Sequence, residues 1–80
     1  MNEIQNRIMM VMSDSSLKGK QKLSPVDLGK KLGLSLRKIR SDLRTLVEQR
    51  ELGYWSSGSG NYYMLKEDFE SLKKLEESNQ

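Results

Sequence analysis

The fold is decided by residues 33–65, which read GLSLRKIRSDLRTLVEQRELGYWSSGSGNYYML. In the first half, apolar side chains recur at the spacing of one helix face, which predicts an amphipathic helix over 36–50. The second half is rich in aromatic residues and is interrupted by a Gly-Ser-Gly tip, which is typical of a β-hairpin over 52–65. The segment therefore predicts a helix followed at once by two strands.

Two further helices are predicted upstream. Residues 24–32 begin with Ser24-Pro25, a cap followed by a proline suited to the first helical position, and they end at Gly33. Residues 2–13 carry an apolar stripe, formed by Ile4, Ile8, Val11 and Met12. The order of three helices and a hairpin predicts a winged helix-turn-helix domain, an α+β fold that is mostly α.

The chain after the hairpin predicts an extra C-terminal helix over 66–77. Its apolar side consists of Phe69, Leu72 and Leu75. Two alternatives stay open for this side: packing on the first helix, or pairing with a second copy in a homodimer. Leu23 is predicted to pair briefly with the hairpin as a minimal third strand. We thus expect a single winged-helix domain over 1–80.

The composition excludes several classes of function. The chain has no cysteine and no histidine, so disulfides, thiolate or imidazole metal sites and Cys/His nucleophile pairs are excluded. No spacing of a nucleophile and a base, and no phosphate-binding glycine loop, can be found. No apolar run approaches the ~20 residues of a membrane span, and the N-terminus lacks the layout of a signal peptide. We expect a non-catalytic, cytoplasmic protein with no cofactor, no metal and no membrane contact.

Charge is unevenly distributed along the chain. Residues 18–44 carry nine Lys and Arg residues against two Asp residues, whereas residues 67–77 carry five acidic residues against two lysines. A basic middle segment predicts a polyanionic partner, although Lys and Arg also solvate ordinary exposed helix faces.

The exposed side of the helix over 36–50 is the predicted DNA-binding surface. It is basic and hydroxylated in its first half, as expected of a recognition helix that enters a major groove of double-stranded DNA. The Lys-rich loop before Leu23 can add charge beside the nucleic-acid backbone. The candidate DNA-binding residues are Arg37, Lys38, Arg40, Ser41, Arg44 and Thr45 of the helix and Lys18, Lys20 and Lys22 of the loop.

The hairpin supplies a second candidate surface, formed by Trp55, Ser56, Ser57, Ser59, Asn61 and Tyr62. Strand alternation leaves two orientations open. In one, the face of Tyr54 and Tyr63 is buried, and Trp55, Tyr62 and Met64 point outward as a contact patch. In the other, Trp55 is a core anchor. The tip carries no Lys or Arg, which argues against a hairpin that binds phosphates.

Over residues 37–66 the sequence resembles the dissimilatory sulfite reductase D family, small winged-helix proteins of sulfite-reducing microbes. The resemblance is carried by the run YWSSGS from Tyr54 to Ser59 and by Tyr63, Leu65 and Lys66, with Leu43, Leu46, Val47 and Leu52 in the same register. It implies a winged-helix fold and either DNA binding or an accessory role that raises sulfite reductase activity. The segment SPVDLGKKLGLS departs from the family and is similar to the helix-turn-helix of a bacterial transcription factor.

Two functions fit these surfaces. The first, which the regular helix-turn-helix favours, is a DNA-binding regulator. The alternative, implied by the resemblance, is a protein-binding accessory factor that activates dissimilatory sulfite reductase. In that case Trp55 and Tyr62 would anchor the contact, and the basic helix would steer the encounter. Any siroheme or iron–sulfur cluster would then belong to the reductase.

Overall fold

The computed structural model describes the backbone of residues 1–78 and the side chains of residues 1–75. The helices and strands in chain order are α1 (Glu3–Leu17), α2 (Pro25–Leu32), α3 (Leu36–Glu48), β1 (Leu52–Ser57), β2 (Gly60–Leu65) and α4 (Lys66–Ser78). The first three helices pack on one another. In the hairpin, β1 contacts α3 and α4, and β2 contacts α1, α2 and α4. This architecture confirms the predicted α+β, mostly helical winged-helix fold.

The first helix continues for one more turn than the apolar pattern predicts. An Asp-Ser-Ser run favours a loop because these side chains compete with the backbone for hydrogen bonds. The helix instead ends in a Schellman turn at Gly19, whose φ is 90°. The N–H of Lys20 donates to the carbonyl of Ser15 at 2.9 Å, and the N–H of Gly19 donates to that of Ser16 at 3.0 Å. The predicted end at residue 13 is therefore wrong.

The α2 helix is capped at both of its ends. The Ser24 hydroxyl accepts the N–H of Asp27 at 3.1 Å and caps the start of α2. Gly33 ends the helix with a φ of 69°, a conformation that glycine adopts without strain. The guanidinium of Arg7 on α1 donates to the carbonyl of Leu32 at 3.0 Å, which satisfies the last turn of α2. These contacts define where α2 begins and ends.

Asp42 joins α3 to the start of α1. Its Oδ1 accepts the side-chain amide of Asn2 at 2.9 Å and that of Gln5 at 3.0 Å. Asn2 and Gln5 also form the reciprocal capping box of α1. One of the few acidic side chains of the basic segment is thus engaged in holding two helices together.

The hairpin pairs from Leu52↔Leu65 to Ser57↔Gly60 and turns through a two-residue loop. Because side chains alternate along a strand, the hairpin has two faces. We call the front face the one that carries Leu52, Tyr54, Tyr63 and Leu65, and the back face the one that carries Gly53, Trp55, Tyr62 and Met64.

Both faces of the hairpin are covered at its base. Leu52 on the front face is 3% exposed and Met64 on the back face is 1% exposed. Of the two orientations left open by strand alternation, the one that turns Met64 outward does not hold, because both faces of the hairpin are buried at its base. Trp55 is half-buried, with its ring centroid 6.2 Å from that of Phe69 on α4. It is neither a freely exposed anchor nor a core residue.

The predicted third strand is confirmed as a single bridging residue. Leu23 donates its N–H to the carbonyl of Tyr63 at 3.0 Å and accepts the N–H of Tyr63 at 2.8 Å. This bridge lies on the outer side of β2 and ties the segment before α2 to the hairpin.

The last helix packs on the hairpin, where Phe69 and Leu72 contact the core. Asp68 links it to the end of α1, because its carboxylate accepts the hydroxyl of Ser16 at 2.7 Å. Leu75 is 62% exposed, so the predicted apolar side of this helix is only partly covered. Pairing of α4 with a second copy stays a prediction.

Replacing Arg50 with glycine is expected to stabilise the fold by about 1 kcal/mol. Arg50 follows α3 with a φ of 62°, a conformation that strains an L residue. The reason for this conformation is a second Schellman turn, in which the N–H of Glu51 donates to the carbonyl of Leu46 at 2.9 Å. Urea unfolding measures the change. Arg50→Ala keeps the strain and serves as the control, and an equal gain in both variants would contradict the explanation.

Candidate functional site

The third helix turns its basic side to solvent because its apolar side is buried. Ile39, Leu43 and Leu46 are each at most 1% exposed. On the other side, the exposed residues are Arg37, Lys38, Arg40, Ser41 and Arg44. Thr45 is half-buried, and its hydroxyl donates to the carbonyl of Ser41 at 3.1 Å within the helix. Five of the six predicted residues of this helix are thus accessible to a macromolecular partner.

A groove of about 510 Å³ runs between α3 and the front face of the hairpin. We call it the front groove; it is lined by Arg40, Arg44, Val47, Glu48, Tyr54 and Tyr63. Tyr54 is 44% exposed and meets Tyr63 edge to face, with ring centroids 5.4 Å apart. The groove therefore has an aromatic floor beside the basic helix.

Two arginines supply the charge of the front groove. Among the side chains of residues 1–75, no carboxylate lies within ion-pair distance of Arg40. The Nε of Arg44 lies 3.6 Å from a carboxylate oxygen of Glu48, a solvent-exposed pair that adds little stability. Burial and, less strongly, Tyr54 raise the pKa of the Tyr63 phenol, while Arg40 opposes the shift. The groove thus places a neutral phenol next to free positive charge.

We expect Tyr63 to make the fold less stable at high pH. Its folded-state pKa lies above the ordinary value of 10.0, so the folded state favours the neutral phenol. The raised pKa of Tyr63 adds to the free energy of unfolding. This stabilisation is fully present below about pH 10 and is lost as the pH rises through the raised pKa, because the unfolded chain loses the proton first. Urea unfolding of wild type and Tyr63→Phe at neutral pH and at about pH 11 tests this. The variant should lose less stability, and equal losses would contradict the assignment.

The polar groups at the hairpin tip hydrogen-bond to one another. The Oγ of Ser56 donates to the Oδ1 of Asn61 at 3.1 Å, and the hydroxyls of Ser57 and Ser59 lie 3.0 Å apart. The hydroxyls of Ser59 and Tyr62 are 3.4 Å apart. Five of the predicted hairpin residues therefore form two local groups, the pair Ser56–Asn61 and the chain Ser57–Ser59–Tyr62. Their hydroxyl groups already have partners, which weakens the case for phosphate binding by these side chains.

The predicted aromatic anchors lie on the back face, away from the front groove. Trp55 and Tyr62 are cross-strand partners on that face. The Nζ of Lys22 lies 5.8 Å from the centroid of the Trp55 ring, within the range of a cation–π contact. Lys22 is thus a neighbour of the hairpin and not of the exposed side of α3.

The other two loop lysines lie beside acidic side chains near the ends of α1 and α2. The Nζ of Lys18 is 3.0 Å from a carboxylate oxygen of Asp14, and the Nζ of Lys20 is 3.9 Å from one of Asp27. The predicted DNA-binding residues are therefore divided between two places. One group lies on the exposed side of α3, and the other lies in a loop whose lysines contact α1, α2 and β1.

Tyr54 and Tyr63 are groove residues that the sequence pattern does not select. In one of the two orientations that strand alternation leaves open, both tyrosines lie in the core, and neither is among the predicted site residues. A signal was nevertheless available, because a two-residue loop sets these tyrosines directly opposite each other on one face. The sequence does not show that α3 leaves part of the front face of the hairpin uncovered.

The described part of the chain offers neither a metal site nor a membrane span. Three or more acidic side chains do not gather at any point among residues 1–75 in a way that could hold a metal ion. None of the helices in residues 1–78 has both the length and the apolar composition needed to cross a bilayer.

Comparison with known proteins assigns the chain to a family. The sequence model of the family described as Dissimilatory sulfite reductase D (DsrD) matches residues 4–68. The chain is also similar to a neutron crystal structure of dissimilatory sulfite reductase D, with 31% sequence identity and a TM-score of 0.67. That similarity covers 82% of this chain and 97% of the other. No curated protein was found to match. The family match and the shared fold show that this chain belongs to the dissimilatory sulfite reductase D family.

Proposed function

We propose that this protein is a non-catalytic accessory protein that binds dissimilatory sulfite reductase through the front groove. Membership of the family supports the choice of partner. The groove supports the mode of binding, because it combines an aromatic floor with a basic wall. The exposure of Tyr54 is the observation that carries the proposal.

Tyr54 has the properties of an interface anchor. Tyrosine is enriched among the residues that dominate binding energies, since its ring offers a large contact area at a small cost in side-chain entropy. The edge-to-face contact with Tyr63 supports one side of the ring, and the other part of the ring is open to solvent. A partner side chain inserted into the groove would cover this ring without requiring the fold to rearrange.

The arginines of the groove determine the charge of the surface that can bind it. Arg40 and Arg44 lie beside the two tyrosines and favour an acidic patch on the reductase. Arg40 is free of an acidic partner within residues 1–75, so complex formation would not first have to break an ion pair at this residue. Such complementarity speeds association and fixes orientation more than it adds affinity.

Binding of the purified reductase to Tyr54→Ala and Tyr62→Ala tests the proposal. The two changes are matched, since each removes one tyrosine from the same hairpin but from opposite faces. We expect Tyr54→Ala to weaken binding by about 30-fold, the loss of a typical anchor of about 2 kcal/mol. Tyr62→Ala should weaken it by less than about threefold. Calorimetry gives the affinities, and the rate of sulfite reduction gives the accessory effect.

Either of two results would contradict this proposal. If wild type neither binds the reductase nor changes its rate, the partner is wrong. If Tyr62→Ala causes the larger loss, the partner is right but the contact lies on the back face of the hairpin.

Binding to double-stranded DNA is the second candidate function. It is favoured by Arg37 and Lys38, which are exposed on the first turn of α3, outside the lining of the front groove. A recognition helix uses such residues to contact phosphates and guanine edges. Fluorescence anisotropy of a labelled mixed-sequence duplex, measured at low and moderate salt, tests this function. Affinity that falls steeply with salt would support it, and absence of binding at low salt would exclude it.

A further inference from the structure

The first strand of the hairpin is the open edge of the sheet. Tyr63 exchanges both of its backbone hydrogen bonds with Leu23, on the side of β2 away from β1. The pair Tyr54↔Tyr63 must therefore be a non-hydrogen-bonded pair, in which the N–H and C=O of Tyr54 point away from β2. Because this pattern repeats every second residue, the backbone groups of Leu52 and Ser56 point outward as well.

These outward groups have no partner within the described part of the chain. No backbone or side-chain hydrogen bond from residues 1–75 reaches the N–H or C=O of Leu52, Tyr54 or Ser56. Proteins usually protect such edges with lysine, proline or a bulge. The sequence of β1, LGYWSS, contains no charged residue and no proline, and its pairing with β2 has no bulge. The edge is thus free to pair with another strand at Tyr54 and Ser56, which are exposed, whereas Leu52 is buried.

The open edge lies in a cleft that we call the edge cleft. It has a volume of about 440 Å³ and is lined by residues of α3, β1 and α4. Val47 of α3 stands on the front side of β1, and Phe69 of α4 stands on the back side. Gly53 makes this arrangement possible, since a Cβ at this position would overlap the ring of Phe69. These two walls flank the part of the edge of β1 that lines the cleft.

The rim of the edge cleft is mainly basic. Arg50, Lys66 and Lys73 line it against the single carboxylate of Glu70. An added strand carries side chains at alternate positions on its two faces, so acidic side chains on it can meet the cations of the rim. Charge complementarity therefore favours an acidic segment over a basic one, and the unpaired backbone groups of β1 favour a polypeptide strand over a nucleic acid.

We propose that β1 binds an extended acidic segment of a partner protein as an added strand in the edge cleft. Main-chain hydrogen bonds to Tyr54, which lines the cleft, and to Ser56, which continues the same edge beyond the cleft, provide the pairing. Lys66 and Lys73 select the acidic side chains. The edge cleft adjoins the front groove and shares Tyr54 and Val47 with it. The proposal does not depend on which protein supplies the segment, so it can be tested without the reductase.

The test uses a synthetic peptide of alternating glutamate and valine, acetylated and amidated at its ends. Hydrogen exchange followed by nuclear magnetic resonance should show that the peptide protects the amides of Tyr54 and Ser56. Ser56→Pro removes one outward N–H and should weaken peptide binding by about tenfold. Ser56→Ala also loses the hydrogen bond to Asn61 but keeps that N–H, so it should bind like wild type. Urea unfolding checks that both variants are folded.

Three outcomes would overturn the proposal. The first is peptide binding that leaves the amides of Tyr54 and Ser56 unprotected, and the second is no binding at millimolar peptide. The third is protection of both amides without peptide that increases with protein concentration, because the occupant of the edge would then be a second copy of this chain. A peptide with lysine in place of glutamate is the charge control and should bind about tenfold more weakly.

Discussion

Replacing Gly53 with alanine should lower the free energy of unfolding by about 3 kcal/mol. Gly53 lies on the back face of β1, where the ring of Phe69 packs directly on its backbone. An added Cβ would overlap that ring, and both groups belong to elements whose paths are fixed by other contacts. Either β1 must shift or α4 must move away from the hairpin. Urea unfolding followed by circular dichroism measures the loss, and the fluorescence of Trp55 reports the displacement of Phe69.

Two further variants separate this explanation from a general effect of glycine substitution. Gly58→Ala, at the tip, meets no atom within 4 Å and has no positive φ, so it should change stability by less than about 0.5 kcal/mol. In a Phe69→Ala background the cost of Gly53→Ala should become small, because the overlapping ring is gone. An unchanged cost in that background would show that Phe69 is not the cause.

The helical part of the fold can be predicted from local chemistry. Ser24-Pro25 and Gly33 mark the limits of α2, and the spacing of Ile39 and Leu43 defines the buried side of α3. These signals act within one turn of helix, so they do not depend on the rest of the structure. The end of α1 was not predictable in this way, because Gly19 ends the helix after a run of residues that individually favour a loop.

The sequence predicts the candidate site less well than it predicts the helices, because the site depends on long-range packing. Strand alternation assigns side chains to two faces but does not say which helix covers each face. Met64 is buried and Tyr54 is partly exposed because the helices that pack on the hairpin cover its base and leave part of the front face open. The exposed basic side of α3 follows from helix periodicity alone, whereas its pairing with Tyr54 in a groove follows from the tertiary structure.

A double substitution in the front groove should have the largest effect on function. Arg40→Glu with Arg44→Glu is expected to weaken binding of the reductase by more than about 100-fold, since two cations facing an acidic surface become two anions. The matched control is Arg37→Glu with Lys38→Glu, which changes the net charge of the same helix by the same amount outside the groove lining. New glutamates in the first turn of α3 are also compatible with the helix dipole, so the control should remain folded.

Comparison of the two pairs distinguishes the two candidate functions. If the reductase is the partner, only the groove pair causes the large loss, because Arg40 and Arg44 flank Tyr54 whereas Arg37 and Lys38 do not line that groove. If DNA is the partner, both pairs weaken binding, and each lowers the salt dependence by about one phosphate contact for every cation removed. Calorimetry with the reductase and anisotropy with a DNA duplex, each at two salt concentrations, provide the comparison. Equal losses of reductase binding for the two pairs would show that the charge of α3 acts only by long-range attraction and that the front groove is not the contact.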